Sequence, residues 1–488
     1  MSARVTLENC DQEPIHIIGT VQSHGALLAF NSEGHLVFSS VNAQTLLEIP
    51  VSLRSEIRQL GLPQVVAETV IEWLGDVANS FAAFDVPINA QSFDVIGHRN
   101  DNGLLIVEFE IIDRGTMSYE PAFATLVHRA MERFKRQTDI DTLLGMVAVE
   151  VRKITGFDRV MAYRFRHDDS GEVVRESRRE GLDNWEGHRY PSSDIPAQAR
   201  RLYILNTLRL IADVGSVPVP IVSTTGQPDS PLDMSFCVLR SVSPIHIEYL
   251  TNMGVAASLS VSIVIDGKLW GMIACHHGEA RHVPHSVRML CEVIGQMVAI
   301  TISSLKTAAV AARLSQSTEA LAEIGVRTRA ADDLLLGIAV GEPNPATLID
   351  AEVCLCLWGG RVVVSRGNIA PEAVSQLALA LGALDEERVI SERLPEHFST
   401  IAKAVAPLSG ILAVCFDVGR RGWIVWMRAE QIEHVRWAGK PDKLIKFGPN
   451  GPRLTPRGSF LEWREEARVK YSMGHQRHKN SRCFALRT

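Results

Sequence analysis

The chain has 488 residues, 46% of them hydrophobic and 22% charged, enough to bury several cores of ordinary size. Its formal net charge of −6 leaves no basic footprint for non-specific nucleic-acid binding. The start lacks a basic segment, an apolar run and a cleavage site, and no stretch reaches about 18 uninterrupted apolar residues. Neither a secretory leader nor a membrane span is expected, and the expected compartment is the cytoplasm.

Residues about 15–115 read as short strands with turns, such as Gly25–Phe30 and Leu104–Ile111, interrupted by a helix near Pro63–Leu74. A second unit, about 120–300, carries helix, strands, a long irregular excursion, then a hairpin and a helix. In that hairpin Ser258–Ile265 alternates strictly, with Leu259, Val261, Ile263 and Ile265 on one face and Ser258, Ser260 and Ser262 on the other. Asp266-Gly267 is a turn pair, and Lys268–His277 returns. The serine face is either solvent-exposed or lines a polar cavity. A plain two-residue turn would put His276 opposite in facing to Ser258 and Ser260, so bringing them together needs a bulge.

From Ser286 to Ile324 the apolar residues follow three-four spacing without a proline. One helix there would span about 55–60 Å at 1.5 Å per residue, and its stripe is available as a dimer seam. A third unit, about 325–465, mixes helix and strand, with Arg421–Arg428 a clear strand. Beyond it Val435–Gly439, a Pro/Gly/Lys-rich tip near Lys440–Pro452, and Thr455–Phe460 form an out-and-back arm. The end, Arg468–Thr488, is basic and has no helical stripe, and its run from Tyr471 to Lys479 reads as a disordered tail. A partner-docking peptide or the scar of a truncated gene are the alternatives.

The eight cysteines, Cys10, Cys237, Cys275, Cys291, Cys354, Cys356, Cys415 and Cys483, form no repeated Cys-x-x-Cys framework, so no metal site is expected from them. Seven sit in apolar or unremarkable surroundings. Cys10 differs, lying in the polar segment Asn9–Pro14. The segment Tyr190-Pro191-Ser192-Ser193-Asp194-Ile195-Pro196 is the most informative in the chain, because two prolines fix the backbone around one carboxylate. Such a loop either aims Asp194 at a site or caps a helix that begins at Ile195-Pro196.

Together these segments resemble a bacterial phytochrome photosensory module, in which PAS, GAF and PHY domains follow one another. The resemblance covers about residues 8–465 and rests on motifs in the family's order. They are Cys10–Gly19 with Gln22–Gly25, Tyr190–Pro196, Arg240-Ser-Val-Ser-Pro-Ile-His246-Ile-Glu-Tyr249, and Pro456–Phe460. Ile18 and Ser23 replace two common prolines, and Tyr190 stands where relatives often have Phe. The implied fold is α+β: three consecutive mixed sensory domains with antiparallel sheets, a long GAF–PHY helix and a PHY tongue hairpin. The implied boundaries are 1–120 for the N-terminal segment and PAS, 121–305 for GAF, 306–470 for PHY with its tongue at about 421–464, and 471–488 for the tail.

The resemblance implies a biliverdin cofactor, tethered as a thioether to Cys10. Ile245 stands where plant and cyanobacterial relatives carry the attaching cysteine, which points to biliverdin over a reduced bilin. Arg209 and Arg240 are the implied cations for its propionates, and Tyr203, Ser258 and Ser260 the hydroxyls. Asp194 and His246 face the pyrrole nitrogens, His276 holds the terminal ring's carbonyl, and Tyr163, Tyr190 and Tyr249, with Met161 and Ile195, wall the pocket.

The implied function is red/far-red photoconversion between Pr and Pfr, with Asp194 pairing to tongue residue Arg457, or Ser459, in one state. No enzymatic activity is expected from the chain itself. A homodimer through the long helices and a downstream signalling protein are the expected partners, without nucleic acid or membrane. Two other readings stay open: a bilin-free PAS–GAF ligand sensor or interaction protein, and a light-regulated enzyme whose catalytic part lies elsewhere.

Overall fold

The computed structural model describes residues 13–75, 82–112, 123–224, 231–384, 386–391, 394, 398–403, 405–419, 421–429, 431–439, 444–448, 451–455 and 462–469. By internal contacts the chain divides into two compact units, residues 1–305 with 436–464, and residues 306–435 with 465–488.

The first unit opens on strands β1 (Thr20–Val21), β2 (Gly25–Phe30) and β3 (Leu36–Ser40) and helices α1 (Ala43–Leu47) and α2 (Gln64–Gly75). Strands β4 (Ala82–Ile88), β5 (Gln91–Arg99) and β6 (Leu105–Ile111) follow. The alternation of β6 decides what it touches. Leu105, Val107 and Phe109 join a core with Phe30, Phe93, Val66 and Val70. Ile106, Glu108 and Glu110 occupy the alternate positions, and both carboxylates are fully buried.

Next come α3 (Phe123–Phe134) and α4 (Ile140–Thr155). Asp139 caps α4 by accepting from Thr142 N at 2.7 Å, and Gly156 ends it in the left-handed conformation. Strands β7 (Arg159–Phe165), β8 (Gly171–Arg178) and β9 (His188–Tyr190) lead to α5 (Ala197–Leu205), β10 (Leu208–Ile211) and β11 (Val219–Ser223). The unit continues through α6 (Pro244–Asn252), β12 (Ala257–Ile265) and β13 (Lys268–His277) into α7 (His285–Ala330), one uninterrupted 46-residue helix. Strand β11 leaves its sequence neighbours and joins the first sheet, in the order β1-β11-β3-β2-β6-β5-β4.

The hairpin β12–β13 turns on Asp266 and Gly267, both at positive φ (52° and 70°), the backbone a two-residue loop needs. Its register slips between Ile263 and Val264, leaving Trp270 unmatched, so Ser258 pairs with His276, Ser260 with Ala274 and Ser262 with Met272. That bulge brings the serines and His276 to one face. The other face, with Leu259, Val261, Ile263, Ile273 and Cys275, closes a core with α4 and the start of α7.

In the second unit α8 (Leu334–Ala339), α9 (Pro345–Leu348), β14 (Val353–Trp358), β15 (Arg361–Arg366), α10 (Pro371–Gly382), β16 (Arg388–Ser391), β17 (Leu408–Asp417) and β18 (Gly422–Ala429) build a sheet in the order β15-β14-β18-β17-β16. Ala373, Val374, Leu377 and Leu381 of α10 pack on its Leu355, Ile411, Val425 and Met427. Strand β18 is central in that sheet, so the arm begins beyond it, later than the tongue boundary of about 421 that the resemblance implies.

The arm's elements are β19 (Gln431–Ala438), the hairpin β20 (Leu444–Gly448) and β21 (Gly451–Thr455), and β22 (Glu462–Val469). Arg436 and Trp437 of β19 pair in parallel with His188 and Arg189 of β9, completing a sheet in the order β10-β12-β13-β7-β8-β9-β19-β22. Within α7 one 18-residue window has mean hydropathy 1.5 and is 22% buried, which by length and composition would suffice to cross a membrane. Ile300, Val310, Leu314 and Leu321 of that helix are exposed.

Candidate functional site

One face of the eight-stranded sheet collects the chemistry. Register places Arg209 beside Ser260, Ser258 beside His276, and Met272 beside Tyr163. Ser260 and Ser262 are 7% and 4% exposed, so the serine face is buried and the solvent-facing alternative is excluded. Met161, Tyr163, Val173, Tyr190, Met272 and Ala438 form an apolar cluster there, with Ile195 and Tyr203 packed against it. The Tyr163 ring lies over Gly171, where a Cβ would come within 1.8 Å of Tyr163 Cε1; only glycine admits the ring in that position.

Asp194 lies in a single 3-10 turn, Ser192–Asp194, and α5 starts beyond Pro196. It therefore caps no α-helix. Its Oδ2 accepts from Tyr249 Oη at 3.2 Å. Arg200 fixes this loop by donating from Nε to Ile195 O at 2.8 Å and from Nη1 to Asp169 Oδ1 at 2.8 Å. His246 and Tyr249, three residues apart on α6, stack with ring centroids 6.0 Å apart. Burial, and then the Arg209 guanidinium, lower His246 to about 4. Burial, then Arg159 and His246, lower His276 to about 3. Both imidazoles are neutral at pH 7, each with one N–H to donate and one nitrogen to accept.

The two site arginines differ. Arg209 donates to Arg240 O, to Ser241 O at 2.9 Å and to Val238 O at 3.3 Å, so it braces the segment bearing Arg240. Burial and the neighbouring Arg240 lower it to about 9, which leaves it charged at neutral pH. Arg240 Nη1 donates to Ile15 O at 2.9 Å, tying it to the N-terminal segment. That segment runs along the site: Ser243 Oγ donates to Glu13 Oε2 at 2.9 Å, and Gln22 bridges Leu210 O and Ala212 N at 2.9 and 3.1 Å. Cys10, Arg457 and Ser459 lie outside the described residues.

Several positioning groups escaped the sequence reading. Arg159 pairs with Glu176 and stacks 3.6 Å over Trp185, whose ring meets His276 edge-on. Arg436 Nη2 donates to Glu186 O at 2.8 Å, over Gly187, where a Cβ would fall 2.1 Å from that nitrogen. Glu108 accepts from Val238 N at 3.0 Å and Leu239 N at 2.7 Å. The repeated Glu in Val107-Glu108-Phe109-Glu110 was the available signal, since two carboxylates on one face of a strand with apolar neighbours need partners.

Among the described residues, His276 Nδ1, Arg240 Nε and Ser262 Oγ are buried polar atoms of this site without a hydrogen-bond partner. With the stacked rings and neutral imidazoles they suit an extended conjugated ligand that carries carboxylates and ring N–H groups. A linear tetrapyrrole meets that description, so the residues present fit the pigment class the resemblance implies.

Family models match along the chain: a PAS fold over residues 10–112, a GAF domain over 139–302 and a phytochrome region over 317–478. The bacteriophytochrome of Pseudomonas aeruginosa is 42% identical over 465 residues, 95% of this chain and 64% of that protein. The bacteriophytochrome of Xanthomonas campestris pv. campestris is 33% identical, over 95% of this chain and 75% of its own length. The chain thus spans about two thirds of the Pseudomonas relative. Among solved structures, a bacteriophytochrome from R. palustris superposes with a TM-score of 0.81 at 34% identity, covering 96% of this chain and 95% of the other. The Stigmatella aurantiaca phytochrome photosensory core module gives 0.77 at 34% identity, covering 96% and 94%. The chain belongs to the bacteriophytochrome family and carries that family's PAS–GAF–PHY sensory core.

Proposed function

We propose that the protein is a red/far-red light receptor that binds biliverdin covalently through Cys10. The observation that carries this reading is the convergence of buried Tyr163 and half-buried His276 on one sheet face, half-buried His246 and Tyr249 on the neighbouring helix, and buried Arg240 in the segment before that helix, with the N-terminal segment tied to Arg240. Glu13 is anchored to Ser243, and Cys10 is three residues away, a chain reach of about 10 Å. The Cys10 thiol adds S–H across a vinyl C=C of the pigment, so one thioether forms and no oxidant is required.

When bound, the bilin supplies a light-driven isomerisation of the double bond before its terminal ring. Arg240 and the serines neutralise and bind its carboxylates, with Arg209 bracing Arg240 from behind. Neutral His276 would donate its N–H to the terminal ring's carbonyl, and neutral His246 and Asp194, which accepts from Tyr249, would serve the ring nitrogens. The aromatic walls and Met272 exclude water from that row. Asp194 would bond Arg457, with Ser459 as the alternative contact, in one of the two states and release it in the other. Arg457→Ala is expected to shorten the lifetime of the light state; dark-reversion traces equal to wild type would refute that latch.

Two copies pair along α7, whose exposed Ile300, Leu314 and Leu321 recur at seven-residue intervals or their multiple. Sedimentation equilibrium should return about twice the 53.7 kDa chain mass, and a monomer at micromolar concentration would reject the seam. The receptor's own attachment chemistry is tested by denaturing electrophoresis of protein produced with a biliverdin supply. Pigment should migrate with wild-type chain and leave Cys10→Ala, which still binds it non-covalently. Pigment that stays with Cys10→Ala in denaturant would move the linkage elsewhere.

A further inference from the structure

Away from the pigment face, three metal-ligating side chains from distant parts of the sequence converge. His24 lies in the turn before β2, Glu110 near the end of β6, and His282 in the loop that enters α7. One ligand atom from each lies within 4.8 Å of the others. His24 Nε2 and Glu110 Oε1 are 3.4 Å apart, and the His24 and His282 rings meet edge-on at 5.1 Å. A separation of 3.4 Å is long for a hydrogen bond, yet two ligands each about 2.0–2.1 Å from a tetrahedral ion sit about 3.3–3.4 Å apart.

We propose that His24, Glu110 and His282 form a site for a divalent transition metal of the zinc class, with water as fourth ligand. Two imidazoles and one carboxylate are a borderline donor set that suits Zn(II), Co(II) or Ni(II) over Mg(II) or Ca(II). The cysteine spacing that spoke against zinc has no bearing on a set without cysteine.

The surrounding charges support the assignment. The Glu110 carboxylate is fully buried and pairs with the equally buried Arg288 guanidinium. Arg288 engages Oε2, leaving Oε1 turned toward His24, so the arginine fixes the carboxylate as an outer-shell partner does. Its positive charge opposes the ion, and the carboxylate of Asp94, which accepts from His285 N at 3.2 Å, acts on both Arg288 and Glu110 and offsets it. The His24 side chain is 19% exposed, which gives the ion an entry path.

The second such cluster, His98, Glu108 and Cys237, fails these conditions. All three are buried, burial drives the Cys237 thiol far up, and Glu108 is committed to Val238 N and Leu239 N.

Occupation would tie the turn before β2 to the loop that starts α7. The test uses the full chain, stripped with chelator and free of pigment, titrated with Co(II) alone. One equivalent should bind with the visible bands of four-coordinate Co(II), without thiolate charge transfer, and Zn(II) should displace it. His282→Phe and His24→Phe should each weaken uptake more than about 100-fold, beyond the 10–100-fold cost of losing an outer-shell partner. Melting curves without metal check that both variants fold, and Zn(II) should raise the melting temperature of wild type alone. Equal uptake by wild type and both variants would overturn the proposal and place the ion on other histidines, such as His475 and His478 of the tail. No uptake by wild type at tens of micromolar Co(II) would overturn it as well.

Discussion

Replacing Arg288 with methionine is expected to destabilise the protein by about 3–5 kcal/mol, the usual cost of removing one partner from a buried ion pair. Arg288 is 1% exposed and Glu110 0%, so neither charge has water to fall back on. Methionine keeps most of the volume, and the loss therefore reports the stranded carboxylate rather than a cavity. Glu110 is held ionised below the ordinary range, so in wild type its contribution is present above the unfolded value of about 4.3 and fades as pH falls below it. The gap between Arg288→Met and wild type should accordingly narrow in acid. Urea midpoints at neutral pH and near pH 4 measure it. Arg288→Met combined with Glu110→Gln should recover most of the loss; a single variant as stable as the double would contradict the account.

Glu108→Leu is the second large effect. Glu108 is fully buried, and burial pushes it up to about 8 despite its two backbone donors, so it holds its proton at neutral pH. Leucine fills the space but leaves Val238 N and Leu239 N without acceptors, at about 1–3 kcal/mol each. The damage reaches the pigment site through the backbone. Leu239 O accepts from Gln22 N at 2.8 Å, and Arg240 O and Ser241 O accept from Arg209. A slip of Val238–Ser241 moves Arg240. Glu108→Leu should therefore lose both denaturant resistance and pigment affinity, while Glu108→Gln, which keeps an acceptor oxygen, restores most of each. Wild-type stability in Glu108→Leu would mean those N–H groups find other partners.

What could be read from the sequence was whatever is decided within one element or one turn. The β12 alternation separated Leu259 and Val261 from Ser258 and Ser260, and the need for a bulge followed from counting residues across Asp266-Gly267. The proline-free run after Ser286 became a single helix because no breaker interrupts its stripe. Motif order suggested the site: Asp194, the His246–Tyr249 pair of α6 and His276 lie on three separate elements, and no periodicity relates one element to the next. Contacts between distant segments were not legible. Glu108 reaches partners 130 and 131 residues away, Glu110 meets Arg288 across 178, and β19 pairs in parallel with β9 from the far end of the chain. The implied tongue boundary of about 421 counts Arg421–Arg428 with the arm, because that segment looks the same as a central strand or an arm strand until its neighbours on both sides are known.

The most direct measurement is the light-induced difference spectrum of the full chain assembled with biliverdin. Alternating red and far-red illumination should give mirror-image difference spectra, repeatable over cycles, with pigment in equal molar amount to chain. A protein that stays colourless with biliverdin in excess, or whose bound pigment gives no reversible red/far-red difference, would contradict the account.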